Sequence, residues 1–563
     1  MHRCLSIDEI LTTICQHAFN ILKPEPKSRE LRDRRTLARL ARTSRYFLEP
    51  ALNVLYYEIN DLLWLIKCMP DDLWVVNGKQ LSFKRPMEQS DWDVFLRYTR
   101  RVRSLEFDRH CTTTTHVNVY HSLATYPYPD VMFPRLTHLR CGEWREDAVW
   151  FLRHLLQPTV NHIDIDNLLP NALTYRVLPL IPKRCPRVRQ LMAFRNLVFQ
   201  QGDPVLDQFS NLLCQLNLLE SVRCAELTDE SLLHLARLPA LKILRVDLRL
   251  NPLHNLDSSL RGRGFPVLRE ALVSSPTMSH CLQFLKYVKS TSLDTINLNV
   301  DDETPAASYK EIFTAWGLNP SYQNLSTIDI SEMRVWRDYD EKHIIDITVL
   351  RPLFQLKGLT CLKLETLCTY DLDDAAIKEI ATAWPLLETL DLSLRECGWE
   401  IPSKVTLQGL IPLLRGCPNL ALLGVVVDAT RLPAASTRLP GAGVRNTSLE
   451  SLWLADSKIT RPSLVAAFLS AVAPNIEQIV TWNTPLLSGR EGKDKYRKRW
   501  REVEGLVRMF SITRRQEHAW ARDGNVGCDE EEEAQAWSSE PDLSPDSDSD
   551  SGFEYCYPPP GVL

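Results

Sequence analysis

The stretch Asp373-Asp374-Ala375-Ala376-Ile377-Lys378-Glu379-Ile380-Ala381-Thr382-Ala383-Trp384-Pro385-Leu386-Leu387-Glu388-Thr389-Leu390-Asp391-Leu392 decides the fold. From Asp373 to Trp384 the apolar residues fall at three-four spacing, which predicts a helix with one buried side. Pro385 stops that helix and leaves no amide to satisfy before the next element. Then the rhythm changes: Leu387, two variable residues, Leu390, one variable residue, Leu392. Residues two apart on a strand point to the same side, so Leu390 and Leu392 share a core face. One helix and one strand of this size cannot bury their apolar sides alone, so the unit has to stack on copies of itself.

The copies are in the sequence. The same triplet begins at Val102, Leu136, Val160, Val188, Leu219, Leu241, Leu268, Leu293, Leu325, Leu359, Leu387, Leu420, Leu449 and Ile476. These first anchors lie 22 to 34 residues apart. Pro134, Pro158, Pro186, Pro239, Pro266, Pro385, Pro418 and Pro474 each stand two residues before one of them. Accidental leucine richness would not fix prolines in phase with the anchors. A second helix is predicted from Asp229 to Arg237.

These units resemble leucine-rich repeats of the long, irregular kind, with the Asn or Cys that usually follows the strand rarely in place. The resemblance implies an α/β solenoid with parallel strands inside and helices outside. In such a solenoid the residues between anchors face a concave surface that binds another protein. Along that surface the early copies offer His138, Arg140, His162, Asp164 and Asp166, then Arg223 and Arg245. The last copies turn apolar, with Leu422, Val426, Trp453 and Trp482. Trp and Arg dominate interface hot spots, so Arg223, Arg245, Trp453 and Trp482 are the candidate target-binding residues. A C-terminal segment folded over Trp453 and Trp482 would bury both instead. His162, Asp164 and Asp166 alternate along one strand; a flat row lacks the convergence of a metal cage, so no metal is expected there.

The first sixty residues have another texture. Ile7, Ile10, Leu11 and Ile14 fall on one helix face, with Ser6 and Glu9 placed as a capping box. A loop rich in Pro, Lys and Arg is expected from Lys23 to Arg35, then a helix placing Leu37, Leu40, Ala41 and Phe47 on one side. A third helix is expected to open at Pro50 and run to Tyr57. The segments Leu5-Ser6-Ile7-Asp8-Glu9-Ile10-Leu11, Leu37 to Phe47 and Glu49-Pro50-Ala51-Leu52 resemble an F-box, as found ahead of leucine-rich repeats in many fungal proteins. Ser6 stands where that family's opening has proline, and Leu55-Tyr56 where it closes on Leu-Trp. The resemblance implies a Skp-type adaptor and a cullin-RING ubiquitin ligase as partners, with Leu5, Ile7, Ile10, Leu11, Ile14, Leu40, Pro50 and Leu52 facing the adaptor. A plain cap on the first repeat would use the same helices.

The expected organisation is an F-box-like domain over 1–60, connecting helices over 61–101, repeats over 102–485, a capping helix over 486–523 and an acidic tail over 524–563. The capping helix carries Trp500, Val503, Leu506, Val507 and Phe510 at helical spacing; its basic charges suit a solvated face better than a nucleic-acid site. The chain has a net charge of -5, yet from Gly524 onward there are eleven Asp and Glu and no Lys or Arg. Such a tail is expected to be disordered, and Ser547, Ser549 and Ser551 beside its aspartates suit acidophilic kinases. The 15 cysteines include no Cys-x-x-Cys pair, and Cys141 and Cys224 sit where a small apolar side chain serves. Asp8 and Glu9 interrupt the first apolar stretch, and no run of eighteen apolar residues follows, so a cytoplasmic or nuclear protein without a membrane span is expected. No phosphate loop, dinucleotide fingerprint, zinc-protease motif or nucleophile elbow occurs, so neither catalysis nor a cofactor is expected. The expected role is target recognition for a ubiquitin ligase; a scaffold or GTPase-regulating repeat protein is the alternative.

Overall fold

A computed structural model describes residues 8–19, 27–107, 114–127, 131–141, 149–166, 176–194, 204–249, 253, 264–332, 341–392, 398–431, 440–482 and 492–523. The fold is α/β, built from repeated parallel strands and helices, and it divides into two compact units. One unit holds the chain to Leu268 with Tyr287–Lys289; the other holds Arg269–Lys286 and the chain from Ser290. No helix among the described residues is long and apolar enough to cross a membrane.

In the first unit the parallel strands are Glu58–Ile59, Ser104–Phe107, His138–Cys141, His162–Asp166, Gln190–Phe194, Ser221–Glu226 and Ile243–Asp247. In the second they are Glu270–Ser275, Thr295–Val300, Thr327–Glu332, Cys361–Glu365, Thr389–Leu392, Leu422–Gly424, Ser451–Ala455 and Gln478–Thr481. The anchors stand in register: Leu105, Leu139, Ile163, Leu191, Val222 and Leu244 face one another in the first unit. Ala271, Ile296, Ile328, Leu362, Leu390, Leu423, Leu452 and Ile479 do so in the second. All are buried, so each leucine or isoleucine adds roughly 1.5–3 kcal/mol of apolar burial.

The prolines do more than stop helices. The amide of the first anchor donates to the carbonyl three residues earlier, as in Leu136 to Phe133, Leu387 to Trp384 and Leu420 to Cys417. Pro134, Pro385 and Pro418 are thus each the second residue of a β-turn, where the fixed φ of proline is already correct. The residue before it is a further core position: Phe133, Cys185, Phe265, Trp384 and Cys417 are all fully buried. A second device sets the step between copies. Within each unit the carbonyl one residue past a first anchor accepts two successive amides of the next copy, as Arg103 does from Thr137 and His138 and Thr360 does from Glu388 and Thr389.

That device reveals a copy that the apolar triplet does not mark. The Tyr57 carbonyl accepts the amides of Arg103 and Ser104, and Ile59 pairs with Leu105. The array therefore begins at Tyr56, inside the stretch expected to be helical, with polar Asp61 at its third anchor position. Between Leu63–Ile66 and Gln89–Thr99, both helical, lies an antiparallel hairpin of Trp74–Asn77 with Gln80–Phe83 where only helices were expected. Gly78, at φ +61, makes its two-residue turn without steric cost.

Three helices precede the array: α1 (Asp8–Phe19), α2 (Lys27–Ala41) and α3 (Arg45–Leu55). Helix α2 starts eight residues before the expected loop ends, because Arg, Glu and Leu from Ser28 to Arg35 favour helix once Pro26 is passed. Phe47 lies on α3 and not on α2, since Ser44 caps α3 by accepting the Tyr46 amide at 3.3 Å; Pro50 then falls inside α3. Cys15, Leu37, Ala41, Ala51 and Val54 form the core of the three helices, with Leu40, Phe47 and Leu55 packed against it. Arg34 of α2 donates to the carbonyls of Leu55 and Glu58, and Arg101 donates to Glu49 and Asn53 of α3. Arg34 thus fastens α2 to the first strand of the array, and Arg101 fastens α3 to the residues that lead into the second.

The expected helices are found at Asp229–Arg237, capped by Thr228, and at Asp374–Ala383, capped by Asp373. In the second unit Glu332 is a buried hub: it accepts the Thr304 amide, the Tyr309 hydroxyl and the Leu367 amide at 2.9, 2.7 and 2.6 Å.

Candidate binding surfaces

Between the buried anchors, residues of neighbouring strands form rows on the open face. In the first unit one row runs His138, His162, Gln190, Ser221 and the next runs Glu106, Arg140, Asp164, Met192, Arg223, Arg245. The imidazoles of His138 and His162 lie 5.0 Å apart. Burial holds both below the ordinary histidine pKa, and the neighbouring His138 lowers that of His162 further. Arg140 bridges Glu106 at 3.1 Å and Asp164 at 3.2 Å, so Asp164 serves an ion pair. No group of three or more His, Cys, Asp or Glu placed to hold a metal occurs among the described residues.

Arg223 and Arg245 are paired across adjacent strands, both partly buried. Burial and the facing Arg223 both lower the pKa of Arg245. Like charges set side by side cost stability, and an anionic group laid over them would relieve that cost.

In the second unit the rows are polar in the middle, with Asn297, Asp329, Lys363 and Asp391 in one register line leading to Gly424, Trp453 and Val480. Trp453 stays partly exposed on this face. Trp482 does not: it is 2% exposed, its indole donates to the Ser457 carbonyl at 2.9 Å, and Tyr496 of the last helix stacks on it at 5.4 Å. It belongs to the closing contact and is not offered to a target, which corrects the expectation drawn from its strand position. Trp482 is covered by the helix Lys493–Asp523, whose Trp500 donates to the same Ser457 carbonyl at 2.9 Å. Val426 is also buried.

A cleft of about 390 Å³ opens beyond the carboxyl ends of the strands Leu422–Gly424, Ser451–Ala455 and Gln478–Thr481, lined among others by Glu400, Ser403, Asp428, Asp456 and Lys458. Gly398, at φ +68, leaves room for Asp456, whose Oδ1 accepts the Trp399 amide at 3.2 Å. Sequence reasoning passes over this cleft because its residues come from separate loops with no shared motif.

On the three helices, α1 divides its apolar residues between two sides. Leu11 and Cys15 are buried in the core, whereas Ile10 and Ile14 are 37% and 39% exposed. Pro50 is buried, Leu40 and Leu52 are half-buried, and Leu5 and Ile7 lie outside the described residues. Tyr46 and Leu48, which the sequence reading did not single out, are exposed on α3. Burial pushes up the thiol pKa of Cys185 to about 12 and that of Cys224 further still, which keeps these thiols protonated.

No protein-family profile matches the chain, and no curated protein matches it.

Proposed function

We propose that the chain is the target-recognition subunit of a Skp–cullin–F-box ubiquitin ligase, with its three helices as an F-box and its repeats as leucine-rich repeats. In this reading α1 docks on the Skp-type adaptor, the open strand face holds the target protein, and partner subunits carry out ubiquitin transfer. The observation that carries it is the split of α1. Leu11 and Cys15 already complete the helical core, so Ile10 and Ile14 are surplus to folding and stand free to enter a partner's pocket. The arginine-fastened junction to the first strand would hold adaptor and target at a fixed separation. Arg223 and Arg245 of the first unit are proposed target contacts, suited to an acidic segment, and Trp453 of the second unit is a separate proposed contact, suited to an apolar one.

The test is co-purification of the full chain with a Skp-type adaptor, wild type against Ile10→Glu/Ile14→Glu. Each side chain at a hot spot contributes about 1–2 kcal/mol, so the double variant should bind about 30- to 700-fold more weakly, at roughly tenfold per 1.4 kcal/mol. Both sites are surface sites, so circular dichroism should not change. Leu11 is unsuitable for this test because a charge there would unfold the helices. A wild-type chain that ignores the adaptor at micromolar concentration overturns the reading and leaves a scaffold or GTPase-regulating role.

A further inference from the structure

The helix Lys493–Asp523 has two faces of opposite use. Trp500, Val503, Val507 and Ser511 are buried against the second unit. At 100° per residue, Lys498, Arg501, Met509, Ile512 and Trp520 fall in about a 100° sector on the other side. All five are exposed, with Met509 at 56%, Ile512 at 45% and Trp520 at 74%. Arg508 and Arg515 are exposed along its edge. The helix carries ten Lys and Arg against five Asp and Glu, and Asp494 and Glu502 share the outer sector. Its basic residues gather toward the start and its exposed apolar ones toward the end.

The residues after the helix have the complementary order. Asp542, Asp546, Asp548 and Asp550 come first, and Phe553, Tyr555 and Tyr557 follow. We propose that the segment Asp542–Tyr557 docks along this outer face, its aspartates on Lys498 and Arg501 and its aromatic residues on Met509, Ile512 and Trp520. The chain is long enough. Lys498 lies about 38 Å back along the helix from Asp523 at 1.5 Å per residue. The 23 residues from Asp523 to Asp546 span up to about 75 Å when extended, and about 26 Å as a coil. From Asp548 to Tyr555 an extended chain covers up to about 23 Å, and Arg501 to Ile512 is about 16 Å of helix, so both halves engage together. Tethering gives millimolar effective concentration, so a weak contact suffices. Phosphate on Ser547 or Ser549 would add charge opposite the lysine and arginine side of the contact.

Zero-length carbodiimide cross-linking of the full chain, read by mass spectrometry, tests this. Lys498 should join Asp546, Asp548 or Asp550 at least fivefold more often than does Lys378, an exposed lysine on another helix. The variant Met509→Ser/Ile512→Ser/Trp520→Ser should lower that yield several-fold with an unchanged circular dichroism spectrum. The variant Ser547→Glu/Ser549→Glu should raise the salt concentration at which the cross-link is lost. Equal yields at Lys498 and Lys378, or indifference to the apolar triple variant, would falsify the docking. Vesicles of phosphatidylserine and phosphatidylcholine give the last arm: the full chain should bind them more weakly than the full-chain variant Asp542→Asn/Asp546→Asn/Asp548→Asn/Asp550→Asn. Equal binding would mean that a lipid surface, and not the tail, occupies this face.

Discussion

Asn446 shows what one residue contributes to the array. It occupies the place that a buried apolar residue takes before the turn in other copies, three residues ahead of the first anchor Leu449, where no proline follows. Its amide group donates to the carbonyls of Leu414 and Cys417 at 3.2 and 2.9 Å, and its oxygen accepts the amides of Ser448 and Leu449, each at 3.0 Å. The side chain therefore builds the turn that Pro385 or Pro418 builds by its fixed φ. Asn446→Ala leaves these buried groups without partners and should cost roughly 2–4 kcal/mol, measured by urea unfolding. Asn446→Asp should also destabilise, because a carboxylate cannot donate to either carbonyl. The sequence shows the missing proline but not its substitute, since an asparagine declares its role only through the four groups around it.

At the scale of elements, paired strands turn sequence rows into surfaces with their own chemistry. His138 and His162 are 24 residues apart in the chain and neighbours in the sheet. Burial disfavours the charged imidazolium, so the folded pKa of each lies below the ordinary 6.5, with Glu58 opposing the shift at His138 and Gln190 opposing it at His162. The unfolded chain then takes up protons first as pH falls. The pair's contribution is present above about pH 6.5 and is lost on acidification below it. Urea unfolding at about pH 7.5 and about pH 5.5 should show a drop in stability that His138→Gln/His162→Gln reduces. The register of these strands was legible, because an anchor period fixes which residues alternate with it. The hairpin at Gly78 is equally legible, since Val75-Val76-Asn77-Gly78 is a turn signal between strand-forming residues. Trp482 was not legible: its exposure depends on a helix whose contact face lies eighteen residues further on.

At the scale of the whole molecule, a repeat array draws its stability from neighbours, so its ends need covers. The helices α1 to α3 cover the first strand, and the helix Lys493–Asp523 covers the last. Trp500→Ala should cost about 3–5 kcal/mol locally. Hydrogen exchange should then quicken in Gln478–Thr481 and Ser451–Ala455 while Ser104–Asp247 keeps its protection; a uniform loss would show that the array does not unfold by nearest neighbours. By itself the sequence determined the repeat, its phase and the inward set of side chains, because burial imposes a period of two on a strand and proline marks each turn. Only the tertiary structure decided that the array starts at Tyr56 and that Trp482 is closed off. It alone separated Ile10 and Ile14 from Leu11 as exposed residues. A strand of two residues, a stacked indole and the two sides of one short helix are set by contacts between segments far apart in the chain. Periodicity within a segment carries no record of what is laid over it.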